Sequence, residues 1–191
     1  IMDGLVGSEM CIRDRQIREM QSERSELERE FYLQALHKTA SMRLIQYEVS
    51  NFAKADFQSR SNLKVWDGQP YLGLGCGAHS FDGVNRWGNV RSMRKYMESV
   101  GREEPPRDFM ETPTRLQQAS ERLMLSLRRP EGLNILSWQE EFQIGLSLEQ
   151  KNQMEKLKDQ DLVSWESPIL KLTTEGMLLA DAITAELMPE A

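Results

Sequence analysis

The stretch Tyr71–Phe81, "YLGLGCGAHSF", constrains this chain more than any other. Gly73, Gly75 and Gly77 fall on alternate positions of a segment that reads as a buried strand. A glycine inside a strand loses backbone entropy and packs nothing, so the spacing marks a bulge, a bend or a place where a ligand approaches the backbone. A dinucleotide-binding turn is a poor fit. That fingerprint is G-x-G-x-x-G running directly into a helix. Here the spacing is G-x-G-x-G, and residues 81–90 are too rich in Gly and Asn to continue as helix. Two readings stay open: a tight bend at a sheet or barrel edge, and a bare backbone edge against a flat or bulky ligand at the C-terminal end of a strand.

Upstream, Ser25 and Glu28 form a capping-box signature, and Leu27, Phe31 and Ala35 repeat at spacing four. This predicts a helix over 25–40. "LIQYEVSNF", 44–52, then reads as one buried strand, giving half of a βαβ unit. Residues 53–70 read as a polar loop before the glycine stretch. Ser92 predicts the cap of a short helix carrying Met93, Tyr96, Met97 and Val100, closed by a left-handed Gly101. Residues 102–114, with three prolines and mixed charge, read as an interdomain linker. Residues 1–15 show no sustained period, and "SEMCIRDR" resembles the read-through of a sequencing adaptor. They are expected to be a non-native leader.

Beyond the linker Pro113 is expected as a first helical residue, with Leu116, Ala119, Leu123 and Leu127 on one face. A short helix over 134–142 carries Leu136, Trp138 and Phe142. Ser147 and Gln150 box the next one. "LVSWE" and "ILKL" are two short strands joined at Ser167-Pro168. Thr173 is expected to cap a closing helix with Leu179, Ile183 and Leu187 at spacing four. Three helices, a two-stranded wing and a helix make a winged-helix-like order.

That order suggests DNA binding, and the charge argues against it. The net charge is −6, and residues 115–191 hold 8 Lys and Arg against 13 Asp and Glu. A DNA reader needs a basic footprint for phosphates, so no nucleic-acid partner is expected, and an interaction or lid domain fits better. No run of 18 apolar residues occurs, so no transmembrane helix is expected. Two cysteines cannot build a disulfide framework, which makes a cytoplasmic setting the expectation.

Cys76 and His79 form a lone C-x-x-H. Structural zinc takes four ligands, and only His37 and Cys11 remain to complete them. Cys76 has the ordinary alternative of a small buried hydrophobe. For His79 a satisfied core histidine and a ligand-contacting imidazole stay equally open. No nucleophile, base and orienting group can be placed together.

Three blocks in order, "YEVSNFA" (47–53), "SRSNLKVW" (59–66) and "YLGLGCGAHSF" (71–81), resemble the HemW-type heme chaperones. These are radical S-adenosylmethionine (SAM) proteins of the oxygen-independent coproporphyrinogen III oxidase-like family. The resemblance covers about 24–188 and includes "LTTEGMLLADAITAEL" (172–187). It implies an α/β fold: the C-terminal end of a partial (β/α) radical SAM barrel over 16–101, the linker, and a small winged-helix-like α+β domain over 115–191.

The family holds S-adenosylmethionine and a [4Fe-4S] cluster through C-x-x-x-C-x-x-C, a motif this chain does not contain. The chain is therefore expected to be a C-terminal fragment, inactive alone as a radical enzyme. Where the family reads H-N-x-x-Y-W, a motif associated with heme, this chain has Ser61 and Val65 in place of His and Tyr, while Asn62 and Trp66 remain. The resemblance makes Gly73, Gly75, Gly77, His79, Asn62 and Trp66 the cofactor-binding candidates. His79 is the candidate for weak heme binding, with Trp66 adding stacking area. It names no catalytic residue and no metal site. The implied partners are heme or a porphyrin and a heme-accepting protein. The alternatives are a coproporphyrinogen III oxidase and a non-catalytic interaction module.

Overall fold

A computed structural model describes residues 26–189. The capping residue Ser25 and the leader 1–15 lie outside them. The chain divides into two compact units between Ile45 and Gln46. In the first, helix α1 spans 26–41 of the described residues. The Thr39 hydroxyl donates back to the Ala35 carbonyl (2.8 Å), and the amides of Met42 and Leu44 fold onto the Thr39 carbonyl to close the helix.

The segment that reads as one strand over 44–52 is two. Strands β1 (Ile45–Glu48) and β2 (Asn51–Ala53) pair with each other across a two-residue turn. The expected strand closes at Ser50-Asn51; the chain instead turns at Val49-Ser50 and continues as β2 from Asn51, whose side-chain amide donates to the Glu48 carboxylate. The loop 53–70 contains a helix, α2 (Arg60–Trp66), whose N-cap Ser59 accepts from the Asn62 amide.

An antiparallel sheet β3-β4-β5 follows, from β3 (His79–Phe81), β4 (Arg86–Asn89) and β5 (Arg107–Glu111). Helix α3 (Met93–Gly101) lies between β4 and β5 in sequence, with Ser92 as its N-cap. The glycine stretch is therefore not a buried strand. Only its last three residues form a strand, β3; before them Tyr71 alone makes a bridge, with Phe81, and Leu72 and Leu74 are 71% and 82% exposed. The proline-containing segment that reads as linker carries β5, paired along β4 with a bulge at Gly88/Asn89. Pro105 and Pro106 precede β5, so neither removes a ladder donor from it. At the end of α3 the left-handed residue is Glu103, not Gly101. Arg102 caps the helix instead, donating to the Glu98, Ser99 and Val100 carbonyls.

Helix α4 (Arg115–Leu127) starts from a capping box between Thr114 and Gln117, which leaves Pro113 one place outside the cap rather than first in the helix. Then come β6 (Leu133–Asn134), α5 (Ile135–Phe142), α6 (Leu148–Asp159), β7 (Val163–Glu166), β8 (Ile169–Leu172), α7 (Thr174–Leu178) and α8 (Ala180–Glu186). The strand pair expected around Ser167-Pro168 is part of a three-stranded sheet, since β6 pairs with β8 to give the order β6-β8-β7.

The core of this half is built on Ala119, Leu123 and Leu127 from α4, with Trp138, Met154 and Leu170 packed to 2% exposure or less. Each such large apolar side chain contributes about 1.5–3 kcal/mol by leaving water. The Trp138 indole N–H is satisfied by the Ala119 carbonyl at 3.0 Å. Ile135, not Leu136, points into this core. The expected closing helix breaks at Leu179, which takes a non-helical conformation and lies 48% exposed. Met177, Ala180 and Ile183 stay buried on either side of the break. Among the described residues, no helix is long and apolar enough to cross a membrane.

Candidate functional site

Residues 72–78 form a loop bound on three sides by hydrogen bonds. The Gly73 amide donates to the hydroxyl of fully buried Ser80 at 2.9 Å. The Gly75 amide donates to the Tyr96 hydroxyl of α3 at 3.2 Å. The Gly75 carbonyl accepts from the Asn89 side-chain amide at 2.9 Å, and the Gly77 amide donates to the Val90 carbonyl at 3.0 Å.

Each glycine has its own reason. A Cβ at Gly73 would overlap the His79 carbonyl oxygen, so this position marks two backbone segments in close approach. Gly75 and Gly77 have φ of +103° and +69°, the region that side chains disfavour. The bend reading accounts for Gly73 and Gly77. Only at Gly75 would a Cβ meet open space.

His79 stands on β3 opposite Gly88 of β4, and Gly88 stands opposite Phe109 of β5. The imidazole is exposed, and its ring meets the Phe109 ring edge-on at 5.5 Å between centroids. Neither ring nitrogen has a hydrogen-bond partner among the described residues. Cys76, half-buried in the loop, is a free thiol. Leu72 and Leu74 flank Gly73 on the exposed side of this loop.

Asn62 and Trp66 sit elsewhere, on α2. Asn62 belongs to the helix cap: its amide donates to Ser59 Oγ (3.3 Å), and its side-chain oxygen accepts from the same hydroxyl (3.2 Å). Trp66 is the last, half-buried residue of the helix. The C-terminus of α2 is tied to α4 and the turn after it. The Asp67 carbonyl accepts from Arg122 (3.1 Å), and the Asp67 carboxylate pairs with Arg129. A cleft of about 190 Å³ opens beside it, lined by Val65, Tyr71, Phe81, Arg86, Met124 and Leu125 among others. On its rim, burial works against the Arg86 charge. The hydrogen bond to Glu111 and the charge of Glu121 outweigh burial and hold its pKa above the ordinary arginine value. The six candidates thus divide into a loop-and-strand set (Gly73, Gly75, Gly77, His79) and a helix set (Asn62, Trp66).

The residues that fix the loop, Ser80, Asn89 and Tyr96, and the ring against His79, Phe109, are absent from the expected set. Gly88, inside the Gly- and Asn-rich run 81–90, is the one signal that could have pointed to the His79–Phe109 contact. A bare position on a strand invites large neighbours from both sides.

A [4Fe-4S] cluster takes four thiolate ligands, and this chain has Cys11, outside the described residues, and Cys76. Among the described residues no group of three or more His, Cys, Asp and Glu is placed to hold a metal ion. The residues present do not fit that cluster. The exposed imidazole of His79 has Phe109 against its ring and no hydrogen-bond partner on either nitrogen among the described residues, and imidazole is a side chain of the type that ligates iron.

No family model matches the chain. Heme chaperone HemW of Bacillus subtilis is 30% identical over 166 residues, which are 86% of this chain and 44% of that protein. Heme chaperone HemW of Mycobacterium tuberculosis is 31% identical over 142 residues, covering 74% and 34%. The chain thus spans less than half the length of these relatives. Among solved structures, the radical SAM enzyme coproporphyrinogen III oxidase (HemN) from Escherichia coli shares the fold. Its TM-score is 0.65 at 16% identity, over 82% of this chain and 39% of that one.

Proposed function

We propose, from the premise that this chain is a homologue of the HemW heme chaperones over most of its length, that it takes part in heme handling and offers His79 to the iron. The observation that carries the reading is the exposed imidazole of His79, whose nitrogens have no protein partner among the described residues. It stands beside a loop that presents Leu72 and Leu74 to solvent. Heme needs a nitrogen or sulfur ligand and apolar area for its faces, and this edge provides both. The backbone of the loop is already fixed by Ser80, Asn89 and Tyr96, so binding there would cost little ordering. Cys76 is the competing ligand.

In this reading S-adenosylmethionine and the iron–sulfur cluster belong to the part of the longer relatives that this chain does not match. Residues 46–101 would close the edge of a partial radical SAM barrel. Helices α4, α5 and α6, with the β6-β8-β7 sheet and the closing helices, would form a winged-helix-like domain that meets a heme-accepting protein. The excess of acidic residues over 115–191 supports a protein rather than a nucleic-acid partner.

The test is a heme titration followed by absorbance on the full chain and on His79→Ala, Cys76→Ala and Ser61→His. His79→Ala should weaken binding about tenfold or more, equal to about 1.4 kcal/mol, and change the iron spectrum. Ser61→His should tighten it. A wild-type spectrum and affinity for His79→Ala overturns the reading.

A further inference from the structure

We infer that Phe109 is a positioning residue for His79, and that Gly88 is a glycine so that the two rings can meet across it. The inference rests on the heme-handling reading for its purpose, and on geometry for its content. In the sheet β3-β4-β5, His79, Gly88 and Phe109 stand in one row, each opposite the next. Adjacent strands lie about 4.8 Å apart, so β3 and β5 are separated by about 9.6 Å at this row. Two side chains that far apart touch only if both lean over the middle strand and the middle residue leaves them room. They do touch, with ring centroids 5.5 Å apart and an interplanar angle of 61°. A Cβ on Gly88 would overlap the Phe109 ring, and Gly88 itself is buried.

The contact matters because no hydrogen bond holds the imidazole among the described residues. An exposed histidine with no hydrogen-bond partner samples several rotamers, and ordering it on a ligand costs free energy that weakens binding. An edge-to-face aromatic contact adds attraction beyond burial alone and so favours one rotamer. It does so without occupying a ring nitrogen. A hydrogen bond to one nitrogen would hold the ring equally well, at the expense of that nitrogen's freedom. Phe109 therefore restricts the ring while leaving its nitrogens for a ligand.

Proton NMR of the full chain without heme tests the contact directly. The chain has two histidines, His37 and His79, so the His79→Ala spectrum assigns the imidazole C–H signals. The Phe109 ring current should displace the His79 signals in the wild type. Phe109→Leu should return them to ordinary positions, and Phe109→Tyr should keep the displacement. Undisplaced signals in the wild type overturn the inference whatever any variant does. In a heme titration, Phe109→Leu should bind about fivefold more weakly with an altered iron spectrum, while Phe109→Tyr stays near wild type. Phe109→Met serves where Phe109→Leu does not fold. If His79→Ala binds as the wild type does, the heme-handling reading fails. If His79→Ala loses binding while a folded Phe109→Leu or Phe109→Met keeps wild-type affinity, the positioning role fails and the heme reading stands.

Discussion

The side-chain amide of Asn89, the last residue of β4, donates to the Gly75 carbonyl at 2.9 Å and lies 3.5 Å from the Gly73 carbonyl. One buried amide thus joins the sheet to two of the three alternate glycines. Its removal leaves the loop to the Ser80 and Tyr96 hydroxyls and to backbone hydrogen bonds such as that from Gly77 to Val90. Asn89→Leu keeps the volume and loses the donor, and should cost about 1–2 kcal/mol in urea unfolding. The amides of Gly75 and Gly77 should exchange faster with deuterium in that variant than in the wild type. Unchanged exchange would show that the loop does not depend on this amide.

The three glycines should differ in substitution, because their causes differ. Gly73→Ala forces a methyl against the His79 carbonyl and should be the most damaging, at about 3 kcal/mol or more. Gly77→Ala puts alanine at φ +69°, near the left-handed well, and should cost about 1–2 kcal/mol. Gly75→Ala has open space and pays only for its φ of +103°, a less populated region, so it should fall between them. Thermal melts of the three variants give the order. If all three fold as stably as the wild type, the glycines are there to keep side chains away from a ligand and not to make the bend.

Legibility in the sequence followed the range of the interaction. Local signals were readable: Ser92 before α3, the Ser147–Gln150 box before α6, and the strand pair around Ser167-Pro168 all form where their chemistry places them. Strand β5 was not readable. Its residues are exposed on both faces, which removes the alternation that marks a half-buried strand, and its partner β4 lies about twenty residues earlier beyond a whole helix. Two-residue β6 is too short to carry any period, and exists through its pairing with β8. At the candidate site the glycines were visible, and so was His79. The residues that shape their surroundings, Asn89, Ser80 and Phe109, act across strands and leave no mark in any window.

Thr184 offers a prediction of the opposite sign. It lies in α8 at 2% exposure, and its hydroxyl has no hydrogen-bond partner among the described residues. A buried hydroxyl left unpaired costs about 1–3 kcal/mol against water. Thr184→Val replaces it with a methyl of nearly the same shape, at similar helix propensity. The variant should unfold at higher urea, with a gain of about 1 kcal/mol. A loss of stability would mean that the hydroxyl has a partner after all.

The last prediction concerns pH and the turn that aligns β3 with β4. Asp82 follows β3, and its carboxylate accepts from the amides of Asn85 (2.6 Å) and Val84 (2.8 Å) and from the Asn85 side chain (3.2 Å). These donors, the Asn85 amide first, hold its pKa below the ordinary aspartate value. A carboxyl whose folded pKa is depressed stabilises the fold above its unfolded pKa of about 3.9, and that contribution is lost as pH falls through the folded value. The turn should therefore be intact at neutral pH and loosen only in acid. Asn85 also accepts from Thr112 at 2.7 Å, just beyond the end of β5, so loosening should spread to the far strand. NMR titration of the Val84 and Asn85 amides should show both shifting together, with a midpoint below pH 3.9. In Asp82→Ala both amides should lose that acid transition and exchange faster at pH 7. An Asp82 midpoint at or above the ordinary aspartate value would remove the turn's claim on the alignment of the two strands.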